Sequence, residues 1–311
     1  MEAHPVFAEV TDNRCMAKNE ALSEFLTGKR AAVTPAQAGL TVSGPRRVPG
    51  LRREEVAFLA GVSVDWYIRL EQGRQVTPSE SVLDSIAKIL QLDDAEHNYL
   101  VNLARPAAGI GGGRQDHPVR PGVVKMLRFF DRQAAFVVGP RAEVLTGNDL
   151  AWALLTDFPH RPPEDRNLLR WMLLDSDARK LYQDWPTVVS QQVGVLQLEA
   201  SAHPNDPAME ALVGELATQS AEFRTWWSTP NPQGRTAGRK TFVHPVVGEI
   251  LIDWEAFIIP GNEGQTMFVN TPADAAAEEA MRLLASWWAT ERPAAPVSPH
   301  VLSSAFPPAT D

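Results

Sequence analysis

GPRRVPGLRREEVAFLAGVSVDWYIRLEQGR, Gly44 to Arg74, is the stretch from which the rest of the chain is best read. Between Arg52 and Ala60 the apolar Val56, Leu59 and Ala60 recur at three and four residues, with Ala57 beside them, which is the stripe of a helix with one buried side. Gly61 ends that helix, because glycine enters the left-handed conformation without a Cβ penalty, and a tight turn at Gly61 and Val62 aims the next helix across the first. Ser63 restarts the chain as an N-cap, and Asp65 suits the positive end of the new helix dipole. This second helix runs to about Gln72.

On it, Tyr67 and Leu70 share a face with Val62 and are expected in the core, which leaves Val64, Trp66, Ile68 and Arg69 turned outward. A Trp and an Ile beside an Arg suit a surface that meets another molecule. Helix, glycine turn and serine-capped helix is the layout of a helix-turn-helix, whose second helix enters the DNA major groove with its N-terminal residues facing base edges. Arg46, Arg47, Arg52, Arg53, Arg69 and Arg74 outnumber Glu54, Glu55, Asp65 and Glu71, so the stretch is net positive in a chain of formal charge -9. The acidic balance confines nucleic-acid binding to this face. Val64, Trp66 and Arg69 are expected on base edges or thymine methyls. Ser63 is expected on the cap and a phosphate, with Asp65 beside it at the helix start. Arg52, Arg53 and Arg74 are expected on phosphates, with Arg46 and Arg47 in the extended Gly/Pro-rich connection that leads in.

Glu55 to Arg74 resembles the DNA-binding domain of the XRE (Cro/repressor) superfamily, where A-x-x-x-G-V-S followed by E-x-G-R recurs. The longer string PGLRREEVAFLAGVSVDWYIRLEQGR resembles a narrower group, the MmyB-like transcription regulators of actinobacteria.

At 311 residues the chain has room for two domains of roughly 100 to 200 residues each. A single cysteine, Cys15, excludes an internal disulfide and any multi-cysteine metal site. The N-terminus lacks a basic start followed by an apolar core, and no apolar run approaches the roughly 18 residues of a membrane span, so a cytoplasmic, nucleoid-associated protein with no membrane partner is expected. Enzyme motifs are missing. His203 and His244 each precede a proline, there is no His-Glu-x-x-His or Gly-x-Ser-x-Gly, and His97, His160 and His300 lack partners at metal spacing. No catalytic residue, metal site or cofactor is therefore expected.

Along the chain, residues 1–18 read as a flexible leader. Asn19 to Arg30 is a first helix with Leu22, Phe25 and Leu26 inward. Ser79-Glu80 starts a helix carrying Val82, Leu83, Ile86, Ile89 and Leu90, and Asp93 to Glu96 opens a fifth with Tyr99, Leu100 and Leu103 buried. Together these make a five-helix bundle over residues 19–104. Residues 105–118, with Gly-Ile-Gly-Gly-Gly, form a linker, not a nucleotide loop, since no Gly-Lys-Ser/Thr follows.

From Pro121 the texture is mixed. A helix near Val123 to Phe130 precedes two short strands, Ala135 to Val138 and Ala142 to Thr146, joined through Gly139-Pro140. A helical insert follows, then strands at Lys240 to Val243, Gly248 to Ile259 and Gln265 to Asn270, and a closing helix from Pro272 to Thr290. The expected class is thus α + (α+β). The order is similar to the PAS-like ligand-binding domain of the MmyB-like group, with VRPGV at Val119, DRNLLRWMLLD at Asp165, DPAMEALVGELATQSAEFRTWW at Asp206 and GRKTFVHPVVGEILID at Gly238 carrying the likeness. The resemblance implies a PAS-like sheet domain over 119–291; residues 292–311 lie outside it, and their Pro, Ala and Ser content reads as a disordered tail.

Within Asp165 to Leu174, Asn167, Arg170 and Trp171 stand at three- and four-residue spacings. The resemblance implies a fatty-acid-like ligand whose carboxylate sits near Asn167 and Arg170, with Trp171, Arg224 and Trp227 as further ligand residues. The same Asn167 and Arg170 could instead brace the fold. One departure stands out, because where the family usually carries a His-Asp pair this chain runs Ser228-Thr229-Pro230-Asn231-Pro232. The expected function is a ligand-responsive transcription regulator, binding double-stranded DNA at an inverted repeat as a homodimer and sensing a small amphipathic molecule. The alternative is a constitutive DNA-binding regulator whose second domain only mediates dimerisation.

Overall fold

In the computed structural model the described residues are 19–41, 46, 48–74, 76–105, 118–234, 236–261 and 264–291. The expected leader with Cys15, Arg47, most of the linker with its glycine run, and the tail lie outside them. By its contacts the chain divides into two units, one reaching Leu92 and including Leu103–Arg105, the other holding Asp93–Asn102 and continuing from Pro106.

The first unit is helical. α1 (Glu20–Ala32) starts at Asn19, whose side chain accepts from the Leu22 amide, and ends with Lys29 and Arg30 against the negative pole of its dipole. α2 (Arg53–Ala60) closes at Gly61, which takes φ 69° as the turn requires. α3 (Val64–Glu71) is capped by the Ser63 hydroxyl accepting from the Trp66 amide, and α4 (Glu80–Ile89) is capped likewise by Ser79. α2 packs on α3 and α4, and α1 packs on α3. Leu26, Leu51, Val56, Tyr67, Leu70, Leu83 and Ile86 are fully buried between them. The residues expected to line the inner side of α2 divide more sharply than the pattern suggested: Val56 and Ala57 are buried, Leu59 and Ala60 are only half-buried, and Phe58 is exposed.

α5 (Asp94–Ala104) begins with a reciprocal cap in which Asp93 accepts from the Glu96 amide and Glu96 from the Asp93 amide. Residues Asp93–Asn102 of this region group with the second unit, where Asn102 donates to the Ser201 hydroxyl.

The second unit is built on a five-stranded antiparallel sheet of order β2-β1-β5-β4-β3. β1 (Ala134–Val138) and β2 (Val144–Gly147) form the expected hairpin, with β3 (Ala237–His244), β4 (Gly248–Ile258) and β5 (Thr266–Pro272) as the meander. The outer face of β1 and β5 is covered by α6 (Pro121–Leu127) through Val124, Leu127, Ala135, Val137, Met267 and Val269. The insert between β2 and β3 supplies α7 (Asp149–Leu154), α8 (Leu168–Leu174), α9 (Ser176–Leu181), α10 (Trp185–Ala202), α11 (Pro207–Gln219) and α12 (Ala221–Trp227). Two 3-10 turns, Phe158–His160 and Pro163–Asp165, also lie there and carry no periodicity of their own. The closing helix α13 (Ala275–Glu291) packs on α7, β4 and β5. The main core therefore sits between the inner face of the sheet, with Phe136, Phe242, Ile250 and Ile252, and the helical layer.

Candidate DNA interface and ligand domain

Helix α3 divides its residues as its spacing requires. Tyr67 and Leu70 are fully buried, while Ser63, Val64, Asp65 and Arg69 are exposed and Trp66 and Ile68 are half-buried. Arg69 pairs with Asp65 at 2.7 Å one turn back, both side chains exposed. Such an i,i+4 pair is worth only about 0.3–0.5 kcal/mol, so a guanine edge offering two acceptors can take the arginine from it.

Glu71, the last residue of α3, is 1% exposed and was not singled out by the sequence. Its carboxylate accepts from Arg30 Nε at 2.6 Å and Nη2 at 3.0 Å, and from Arg53 Nε at 2.7 Å. Burial alone would raise its pKa, but the bonds from Arg30 and Arg53 reverse that and hold it below the ordinary carboxylate value. Arg30 also donates to Leu51 O at 2.8 Å, so one ionic knot joins α1, α2, α3 and the chain before α2. The neighbouring Gly73 is fixed by packing: its φ is +65° and a Cβ there would fall 2.1 Å from Asn19 O. The E-x-G-R signature thus contains a buried anion and a backbone contact point. Its partners, Arg30 and Asn19, lie 41 and 54 positions away in the chain and leave no local trace.

The arginines expected on phosphates fall into three groups. Arg46 folds back, bonding Glu55 through Nη1 at 2.6 Å and Nη2 at 2.8 Å and Gly50 O at 2.8 Å. Those bonds pull Glu55 down to about 2. Arg53 is half-exposed and committed through Nε to Glu71. Arg52 and Arg74 are exposed and have no ion pair among the described residues. Arg47 lies outside the described residues.

In the second unit the hairpin turn is a structural hub. Arg141 donates from Nε to Asp206 at 2.8 Å and from Nη1 to Glu143 at 3.1 Å, and Asp206 in turn caps α11. Burial acts to raise Asp206, but the Arg141 bond outweighs it and the net shift is downward. Asn167 is buried at the start of α8, where its Oδ1 accepts from the Arg170 amide at 3.0 Å and its Nδ2 donates to Arg141 O at 2.7 Å. Both polar ends of Asn167 are therefore taken up by the fold.

Arg170 turns to α11, where it pairs with Glu215, and it also bonds Glu164 O and lies 3.7 Å from Asp165; a carboxylate arriving there meets a guanidinium already held by acids. Trp171 goes the other way, into the core, edge-on to Phe158 at 5.6 Å and to Tyr182 at 6.3 Å. Arg224 is exposed and binds the α11 carbonyls of Ala217 and Thr218, and Trp227 stacks on Phe223 at 5.3 Å. The structure thus links Asn167 to Arg170, while the Trp171 ring packs against Phe158 and Tyr182 instead. Through Arg170 and Arg224 it draws α8 and α12 to α11. The departing segment after α12 lies against α10, where Asn231 N donates to Gln197 Oε1 and a Cβ on Gly194 would fall 2.3 Å from Asn231 O.

The rings form a file from Trp152 through Phe158, Trp171 and Tyr182 to Phe242, the last pair 4.9 Å apart. At its end stands Lys240, a residue the sequence reading passed over. Period-two alternation in β3 puts Gly238, Lys240, Phe242 and His244 on one face, so a charged residue in phase with Phe242 was the available signal.

Among the described residues no group of His, Cys, Asp and Glu is arranged to hold a metal ion, and no helix is long and apolar enough to cross a membrane. The family model of the MmyB-like transcription regulator ligand binding domain matches residues 119–284, more than half of the chain, and that of a helix-turn-helix domain matches residues 21–100. No curated protein matches the chain. With a serine-capped second helix in a helix-turn-helix and a sheet domain matched along nearly its whole length, the chain belongs to the MmyB-like transcription regulators, DNA-binding proteins that respond to a small molecule.

Proposed function

We propose that the protein reads an inverted-repeat operator as a homodimer and that a small amphipathic molecule, such as a fatty acid, sets its affinity for that operator. The observation that carries the DNA part is α3 itself: one face is sealed in the core by Tyr67, Leu70 and Glu71, and the other offers Ser63, Val64 and Arg69 to solvent. An eight-residue helix reaches only a few base pairs, so two copies reading half-sites about 34 Å apart supply the specificity that one lacks. Trp66, half-buried, leaves part of its side chain for thymine methyls.

On the ligand side, the polar ends of Asn167 and the guanidinium of Arg170 support the bracing role, with Trp171 as part of an aromatic wall beside which an apolar body can lie. No catalytic group and no cofactor belongs to this reading, and colourless purified protein is its expected appearance; an absorption band of haem or flavin would contradict it.

The test is a pair of variants on selected and random DNA. Arg69→Ala is expected to weaken specific binding by roughly 1–3 kcal/mol and spare random DNA, whereas Arg52→Ala weakens both alike. Arg52 serves better than Arg53 here, because removing Arg53 also strips a partner from buried Glu71. Equal losses on both DNAs for Arg69→Ala would remove Arg69 from base readout.

A further inference from the structure

Among the described residues, three polar groups on or against the inner face of the sheet have neither a hydrogen-bond nor an ion-pair partner. Lys240 Nζ lies 5.1 Å from the ring centre of Phe242, 5.7 Å from that of Trp254 and 5.9 Å from that of Tyr182. Among the described residues it makes no hydrogen bond and no ion pair, and the same holds for the Tyr182 hydroxyl and the Trp254 indole N–H. All three are donors. Lys240 and Trp254 are half-buried, so the ammonium is reachable from outside the core.

The strand register explains how they meet. Lys240 pairs with Ile252 and Gly238 with Trp254 across β3 and β4, and the Trp254 indole lies so close over Gly238 that a Cβ there would fall 2.9 Å from its Nε1. An isolated bridge between Tyr182 and Phe242 brings the Tyr182 ring to the same place from the end of α9. Burial lowers the Lys240 pKa to about 8, so at neutral pH the ammonium is still charged while only ring faces compensate it. Several other cations of this unit, Arg141, Arg161, Arg170, Arg179 and Arg239, each have an acid against them.

We infer that the Lys240 ammonium, ringed by Tyr182, Phe242 and Trp254, is the seat for the anionic head of an apolar monocarboxylate. A carboxylate suits a single cation beside two neutral donors. A phosphate dianion would be left half uncompensated, because among the described residues no arginine fork faces the place. The apolar body then lies along the ring file as it runs back from Phe242 through Tyr182 to Trp171. This assignment rests on the reading of the second unit as the sensor of an amphipathic molecule, and it moves the head group from Arg170 to Lys240.

The test is calorimetric titration of the full chain with decanoate and with decan-1-ol, for the wild type, Lys240→Met and Lys240→Arg. Methionine matches lysine in length and removes a desolvated charge, so the variant keeps its fold, which near-ultraviolet circular dichroism checks. The expected result is that Lys240→Met weakens decanoate at least about 10-fold, or 1.4 kcal/mol, leaves decan-1-ol within about twofold, and that Lys240→Arg retains decanoate. Equal decanoate affinity in the wild type and Lys240→Met would overturn the Lys240 seat and leave the sensor reading standing. Failure of both probes to bind the wild type would overturn the sensor reading, and the seat with it.

Discussion

Glu71 shows how one side chain holds the DNA-reading helix in place. A carboxylate taken out of water costs several kcal/mol unless its lone pairs are met, and here Arg30 and Arg53 meet them from two other elements. Glu71→Ala leaves Arg30 unpaired and is expected to destabilise the first unit by about 3–5 kcal/mol, read as faster hydrogen exchange over Val64–Glu71 in the full chain. Unchanged protection there would contradict the role. The same anion makes the unit acid-sensitive. Glu71 and Glu55 both have folded pKa values below the ordinary one near 4.5, Glu55 at about 2, so the stability they contribute is present above pH 4.5 and is lost as pH falls towards 2. Loss of α3 protection between those limits is the expected titration, and Glu71→Ala is expected to flatten it.

At the scale of elements, local patterns were enough to place the helices and strands, and long-range partners were not. The cap at Ser63, the glycine stop at Gly61 and the Tyr67/Leu70 spacing are local chemistry, so α2 and α3 were legible to within a residue or two. The hairpin and the meander were legible for the same reason. What periodicity could not show is which polar residues spend their bonds on the fold. Asn167 and Arg170 read in sequence equally as a ligand pair or as a brace, and the structure bonds them to Arg141 and Glu215. Lys240 looks like a surface residue of a strand, and the structure surrounds it with rings.

Asn148 is another such case. It caps α7 by accepting from the Ala151 amide at 2.9 Å, accepts from the Ala135 amide at 3.0 Å, and donates to Phe130 O and Gln133 O at 2.8 Å each. Because one side chain fastens β1, α7 and the turn after α6, Asn148→Ala is expected to lower the stability of the second unit by about 2 kcal/mol or more in denaturant titrations. Asn148→Asp keeps the two accepted bonds and loses the two donated ones, and is expected to fall between. A loss under about 0.5 kcal/mol for the alanine variant would contradict the role.

For the whole molecule, a formal charge of -9 sits beside a DNA-reading surface whose arginines are largely spoken for. Arg46, Arg53 and Arg69 each have an acid in contact, which leaves Arg52 and Arg74 as the exposed cations without an ion pair among those expected on phosphates and described. A surface with few uncommitted cations binds random DNA weakly, so specificity rests on α3 and on pairing two copies. Occupancy of the second unit is expected to change what the first unit does. The most direct measurement is fluorescence anisotropy of the full chain on DNA selected from a random pool, with and without saturating decanoate at fixed ionic strength. A coupling of about 1–3 kcal/mol, a change of roughly 5–150-fold in operator affinity, is the expected result, with Lys240→Met needing about tenfold more decanoate for the same response. Identical affinity with decanoate demonstrably bound would contradict it.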